Sequence, residues 1–416
     1  MKAMTRQRIS ALVLTLGLCA AGSLPAQRPQ PRLGDAGLPG RPMWTQQRAR
    51  AWGQSAGWLV GSNFAPSTAI NQLEMWQAAT WDPRTIDREL GWAESLGFNT
   101  MRVFLHNLLW QQDSAGFLRR MDQFLAIAQR HHIKPMFVLF DAVWDPLPHL
   151  GRQREPIPHL HNSGWVQSPG AEILSDTSRY ESLRPYVQGV VGRFANDPRV
   201  VAWDIFNEPD NTNRPAYIGY EPVNKPALTL ILMRKAFAWA RAMNPSQPLT
   251  AAPWLGDYAD PSRMRPATRF MLENSDVITF HSYDDSATVE RLITALERYG
   301  RPIICSEYMA RPRGSTFQAI LPIFARRHVG AINWGFVSGK TQTIYPWDSW
   351  NNEYTAEPKV WFHDIFRANG QPYDQAEVQF IRRVITNARG RLRTDGLRPT
   401  AFWTEGRGPS ASIIED

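Results

Sequence analysis

With 416 residues, 43% of them hydrophobic and 20% charged, the chain has room for two average domains or one large closed one, and enough apolar residues for a substantial core. Its formal charge of +8 sits largely at the ends: three cations in residues 1–26 and a net +3 in residues 381–416 leave about +2 for the body, which excludes the basic footprint of a nucleic-acid binder. Seventeen tryptophans are the unusual item, and a flat ring with an N–H that needs a partner suits a cleft as well as a core.

In chain order, residues 1–26 carry Lys2, Arg6 and Arg8, then an apolar stretch from Ile9 to Ala21, then small residues, the pattern of a signal peptide directing export to the periplasm or beyond. Leu18, bulky and immediately before Cys19, argues against a lipid anchor there. With Cys19 in that leader, Cys305 is left alone, so no intramolecular disulfide is expected, and no other run is long and apolar enough to cross a bilayer. Residues 27–52, rich in Pro, Gly and Arg, read as a spacer or an arm.

From Trp58 the pattern becomes short apolar runs alternating with amphipathic segments: strands within 58–64, 98–106, 133–141, 200–209, 248–254, 276–283, 301–308 and 329–339, with helices between them and a last helix near 375–389. Strict alternation of this kind is the count of an α/β protein of the (β/α)8 TIM-barrel type, a single domain over residues 53–390 with a non-periodic tail at 391–416. An open doubly wound sheet would need a phosphate-type glycine turn after its first strand, and "GSNFAPSTA" supplies none. The long stretches 142–178 and 210–225 follow strands, which puts them on the C-terminal face of the barrel, where active sites are built.

Polar residues at strand ends then point into the barrel mouth. The fourth strand ends in Asn207, Glu208 and Pro209, and the seventh in Glu307. Two carboxylates facing each other across a mouth are the minimal apparatus for glycoside hydrolysis, one giving a proton to the departing oxygen and the other attacking the anomeric carbon or activating water. Arg102 and His106 mark strand two, His281 and Tyr283 strand six, Trp334 strand eight. For each, a rim ion pair or a structural hydrogen bond is the competing role, and for His106 the two stand level.

The ordered set of "NEP" at 207–209, Glu307, His281-x-Tyr283, Arg102 and Trp334 resembles the retaining glycoside hydrolases of clan A, above all the cellulase-like glycoside hydrolase family 5, over residues 55–390. The resemblance implies Glu208 as general acid/base and Glu307 as nucleophile. It further implies that Asn207 binds the sugar 2-hydroxyl, Arg102 and Tyr283 hold Glu307 ionised, His281 contacts substrate or tunes Glu208, and Trp334 is the floor under the sugar. On this reading the carboxyls lie about 5–5.5 Å apart, and Glu208 alone has a raised pKa.

The loops add candidates for gripping sugar hydroxyls: Asn63, Asn71, Glu74 and Trp76 after strand one, Asp141, Trp144 and Asp145 after strand three, then Trp165, Asp210 and Asn211. Loops this long can close the cleft at one end, favouring exo action on short β-linked chains over an open endo-acting groove of the cellulase, xylanase or mannanase kind. No cofactor is expected; "GFVSGKT" has the wrong glycine spacing for a phosphate loop, and the histidines at 149, 159 and 161 lack metal-ligand spacing. The partner implied is a carbohydrate, with no nucleic acid and no membrane insertion. A transglycosylase with the same glutamates and a non-catalytic carbohydrate-binding barrel are the rival readings; the latter is disfavoured because both carboxylates are present.

Overall fold

A computed structural model of the chain describes residues 40–213, 216, 217 and 219–394. The stretch read as a signal peptide, the first half of the stretch read as a spacer, and the tail from residue 395 onward lie outside the described residues.

Eight strands, β1 (Val60–Phe64), β2 (Thr100–Phe104), β3 (Lys134–Asp141), β4 (Ala202–Asn207), β5 (Leu249–Ala252), β6 (Ile278–His281), β7 (Ile303–Glu307) and β8 (Gly330–Asn333), form one sheet in the order β5-β4-β3-β2-β1-β8-β7-β6. Every hydrogen-bonded pair is parallel. The sheet's two end strands meet where the Asp276 N–H donates to the Leu249 carbonyl at 2.7 Å and the Thr250 and Thr279 hydroxyls bond at 2.7 Å, which brings the ring to a (β/α)8 barrel. Each strand lies inside the stretch read for it from sequence.

The period of two sorts each strand. In β2, Met101 and Val103 face the helices in the main core, whereas Arg102 and Phe104 face the barrel axis. The helices start where sequence supplies a cap. Asp82 accepts from the Thr85 N–H ahead of Pro83–Leu96, Asp285 from Thr288 ahead of Ser286–Glu297, and Thr316 from Ala319 ahead of Phe317–Arg327.

Three expectations need correction. Residues 46–56, read mostly as spacer, form the helix Gln46–Ala56, capped by Thr45. Its Trp52 and Ala56 pack on Leu59, Met136, Val201 and Ile304, closing the N-terminal end of the barrel, while Arg41 pairs with buried Asp276 at 2.6 Å. The helix carries only Ala49, Trp52 and Ala56 as an apolar stripe, too thin to register as a period among so many polar residues. The helix after β2 begins at Asn107 rather than 116, because non-helical Asp113 interrupts it. The final helix runs on to Thr394, past the expected start of the tail.

Candidate active site

The site is built on two irregular strand ends. The β4–β5 register shifts between Asp204 and Asn207, and the β6–β7 register shifts between Phe280 and His281. Bulges of this kind re-aim side chains at a barrel rim. Beyond the first one, Glu208 sits at φ +45°, a left-handed conformation that a glutamate adopts only when its surroundings impose it. Its N–H is held by the Ala252 carbonyl at 3.0 Å, and the chain then turns away at Pro209.

Arg102, fully buried in the barrel, organises the rest. Its Nε and Nη2 donate to Asp204 Oδ2 at 3.0 and 2.7 Å, Nη2 also to Asn207 Oδ1 at 2.7 Å, and Nη1 to Asn63 Oδ1 and Glu307 Oε1, both at 2.9 Å. All five guanidinium hydrogens are used, which fixes the fork. Asn207 donates in turn to Asp141 Oδ1 at 2.8 Å, so its amide orientation is set from both sides.

Glu307 receives Arg102 on Oε1 and the Tyr283 hydroxyl on Oε2 at 2.6 Å. Glu208 has its Oε1 at 2.6 Å from His281 Nδ1 and accepts from Asn211 Nδ2 on Oε2 at 2.7 Å. The same His281 nitrogen lies 3.6 Å from Glu307 Oε2, and one oxygen from each carboxyl together with a His281 nitrogen fall within 4.8 Å of one another. Such a triad could be mistaken for a metal site. Both Glu307 oxygens, however, are already engaged by a phenol and a guanidinium, and the cation beside them opposes a second positive charge.

Burial pushes Glu208 up to about 8, with the negative charge of Asp210 adding to the rise and the Asn211 hydrogen bond opposing it. Burial also pushes Glu307 up, to about 7, against the Arg102 charge and the Tyr283 donation. The expectation that only Glu208 is raised is therefore corrected: both are raised, because both are enclosed, and Glu208 is the one that keeps its proton longer. Burial holds His281 down at about 4, so its ring is neutral near pH 7.

Above the carboxyls lies a cavity of about 330 Å³ lined by Glu208, Glu307, Asn207, Tyr283 and six tryptophans: Trp144, Trp165, Trp254, Trp334, Trp347 and Trp350. Of the residues read from sequence, Glu208, Glu307, Asn207, Asn211, Tyr283, Trp334, Trp144 and Trp165 border it, with His281 and Arg102 directly beneath. The others do not. His106 is buried as a helix cap, Nδ1 accepting from the Leu108 N–H and Nε2 donating to the Gln167 carbonyl. Trp76 is a core residue whose Nε1 donates to the Phe104 carbonyl and whose ring stacks on Trp81. Asn63 spends its amide on Arg102 and on the Ser306 and Asn333 carbonyls inside the barrel. Glu74 pairs with Lys340 at 2.7 Å, and Asp145 caps Leu147 and faces Arg154, so both pin loops. Asn71 caps a short helix, Asp141 accepts from Asn207 and Trp165, and Asp210 accepts from the Trp254 and Leu255 N–H groups. Reading by residue type missed Trp254, Trp347 and Trp350. The stretch "YPWDSWNN" was the available signal for the last two: aromatic residues three apart between the eighth strand and the last helix belong to the same face as the carboxylates.

The fold and this paired-carboxyl centre together define a TIM barrel with its polar site at the C-terminal mouth. No protein-family model matches the chain, and no curated protein matches it by sequence. Among solved structures it is similar to the exo-beta-1,4-mannosidase Op5Man5 from Opitutaceae bacterium strain TAV5, at 20% identity and TM-score 0.55, covering 80% of this chain and 60% of that one. A GH5_18 protein from Streptomyces cattleya in complex with Manb1-4GlcNAc aligns at 12% identity and TM-score 0.54, over 82% of this chain and 83% of that one. The endo-1,4-beta-D-mannanase from Thermotoga petrophila RKU-1 aligns at 14% identity and TM-score 0.50, over 80% and 100%. What is shared at these identities is the barrel itself.

Proposed function

We propose that the protein is a retaining β-glycosidase acting from the chain end on β-linked, mannose-type oligosaccharides. The observation that carries the reading is the Glu208–His281–Glu307 arrangement: carboxyl oxygens within 4.8 Å of each other, one on a cation and a phenol, the other without a cation. An oxygen of each carboxyl this close favours the roughly 5–5.5 Å carboxyl separation of retaining enzymes over the roughly 6.5–9.5 Å by which an inverting enzyme fits a water between the groups.

In this mechanism Glu307 attacks the anomeric carbon as Glu208 protonates the glycosidic oxygen. Glu208, then ionised, takes a proton from water, and the resulting hydroxide equivalent releases the sugar from Glu307 with net retention. Asn207, locked by Arg102 and Asp141, offers its amide to the 2-hydroxyl, where a hydrogen bond strengthens as the oxocarbenium-like state develops. Trp334 supplies an apolar face beneath the ring.

End-on action is supported by how the mouth is walled. The loops after β3 and β8 are tied by the Trp144–Trp350 stack, rings 5.3 Å apart and 12° from parallel, and by the Asn162 N–H to Thr341 carbonyl bond. The mannose preference rests on the structural neighbours named above, and export on the N-terminal sequence. An open endo-acting cleft and transglycosylation with the same residues are the readings to be separated from this one.

Aryl β-mannoside, β-glucoside and β-xyloside, followed by manno-oligosaccharides, with Glu307→Ala as the blank, test the reading. Monosaccharide release and a β-configured first product by NMR are expected. An α-configured first product removes the retaining mechanism, and rapid viscosity loss of a polymer with little reducing sugar removes end-on action.

A further inference from the structure

The wall beside the cavity holds a side chain that the double-displacement chemistry leaves idle. Asn162 borders the cavity, is 1% exposed, and has no hydrogen-bond partner among the described residues at either Oδ1 or Nδ2. Leaving both halves of a carboxamide unpaired away from water is unfavourable. The other buried asparagines near the barrel mouth are engaged: Asn63 bonds Ser306, Asn71 bonds Gly164, Asn207 bonds Asp141 and Asn213 bonds Ala142. Alone among the buried asparagines that the structure describes, Asn162 has both side-chain atoms without a partner.

Its backbone shows that the placement is imposed. Asn162 sits at φ +51°, its N–H fixed to the Thr341 carbonyl at 2.9 Å and its own carbonyl accepting from the Trp165 N–H at 3.2 Å. Neighbouring His161 is pinned as firmly: its N–H goes to Ser349 Oγ at 3.0 Å, its carbonyl accepts from Trp350 Nε1 at 2.9 Å, and its Nδ1 donates to the Tyr345 carbonyl at 2.7 Å. With the proton on Nδ1, the neutral ring keeps an acceptor at Nε2. Burial holds this imidazole down at about 4, so it is neutral at physiological pH.

A carboxamide offers one acceptor and one donor side by side, which complements two adjacent hydroxyls of a pyranose: one gives its proton to Oδ1, the other accepts from Nδ2. Glu208, the proton donor to the leaving group in the proposed mechanism, follows directly on β4, whereas Asn162 belongs to the wall formed after β3 and β8; in that mechanism the leaving group takes the β4–β5 side and the released sugar the side of this wall. We propose that Asn162 is a specificity-determining residue that takes two neighbouring hydroxyls of the sugar at the non-reducing end. This deepens the β-glycosidase reading and rests on it. A chain extended beyond that sugar would leave the carboxamide unpaired, so the residue selects ends over interiors.

The test is calorimetric binding of β-1,4-linked mannobiose and cellobiose, and of their forms lacking single hydroxyls on the non-reducing ring, to the full chain carrying Glu208→Gln, with and without Asn162→Gly. Glycine accepts the positive φ without strain, and Asn162→Asp, of the same shape without the donor, is the second variant; unchanged thermal midpoints show that both fold. Losing one or two neutral hydrogen bonds weakens binding of the intact sugar roughly five- to thirtyfold. The forms lacking the recognised hydroxyls then bind equally well whether or not Asn162→Gly is present. If the loss is the same for every deoxy form, or there is no loss, the Asn162 inference falls while the glycosidase reading stands. If no sugar binds and the wild-type chain turns none over, both fall together.

Discussion

Replacing Glu208 by glutamine should make the protein more resistant to alkali while it stops turnover. The folded Glu208 carboxyl keeps its proton up to about 8, whereas the unfolded chain releases it near 4.5. Between those values the native state binds more protons than the unfolded one, so this group's contribution to stability is complete below 4.5, declines as pH rises, and is gone above about 8. From pH 5 to pH 9 the decline spans roughly 3 units at about 1.4 kcal/mol each, about 4 kcal/mol in all. Glutamine has nothing to ionise. Whatever constant offset the amide introduces, the variant's thermal midpoint should gain on the wild type between pH 5 and pH 9 by about 8 °C, at roughly 2 °C per kcal/mol for a large domain. Thermal scans by tryptophan fluorescence at pH 5, 6, 7, 8 and 9 follow the difference. Parallel curves would refute the claim that Glu208 is buried with a raised pKa, and with it the assignment of this carboxyl as the proton donor.

The coupled pair also sets the rate profile: kcat/KM rises as Glu307 ionises near 7 and falls as Glu208 does near 8, giving a narrow optimum between them, and a plateau reaching down to pH 5 would contradict the enclosure of Glu307. Arg102→Met strands Asp204 and Glu307 without their cation, so urea unfolding at pH 7 should report a loss of about 3–5 kcal/mol, and any residual kcat a fall on the order of a thousandfold. Trp350→Ala removes one ring of the stack with Trp144; KM for a disaccharide should rise roughly tenfold with kcat little changed, and a kcat effect larger than the KM effect would tell against a role in binding. His106→Ala deletes a helix cap, lowering stability by about 1–2 kcal/mol while leaving kcat/KM within about threefold.

The barrel was legible because its strands are short apolar runs whose polar residues come at one end. Glu208 and Glu307 stand out for that reason: nothing in a strand core accounts for a carboxylate after "AWDIF" or "PIICS". Loop side chains gave no such contrast. Trp76 and Trp144 both follow strands and both have an acid close by, yet the first is turned into the core by a five-residue helix that Asn71 caps, and the second is held out over the mouth by Trp350, more than two hundred residues later. The wall was hidden for the same reason. It is held by one backbone bond, from the Asn162 N–H to the Thr341 carbonyl, and by ring N–H groups of His161 and Trp350 that donate to the carbonyls of Tyr345 and His161, and a bond to a carbonyl leaves no trace in the residue type of its acceptor. The placing of one imidazole nitrogen on Glu208 and within 3.6 Å of Glu307 was equally invisible, since it depends on the bulge that moves His281 opposite Glu307.

The tie between the β3 and β8 loops has a kinetic corollary. Because Asn162, His161 and Trp350 are fastened through main-chain and ring N–H groups rather than hung on a hinge, that side is a fixed end and not a door. On the end-on action proposed above, a sugar freed against it departs by the route the next substrate must take. Monosaccharide product therefore queues with substrate for one entrance, and its accumulation should slow turnover competitively, relieved by dilution and by nothing the protein itself does.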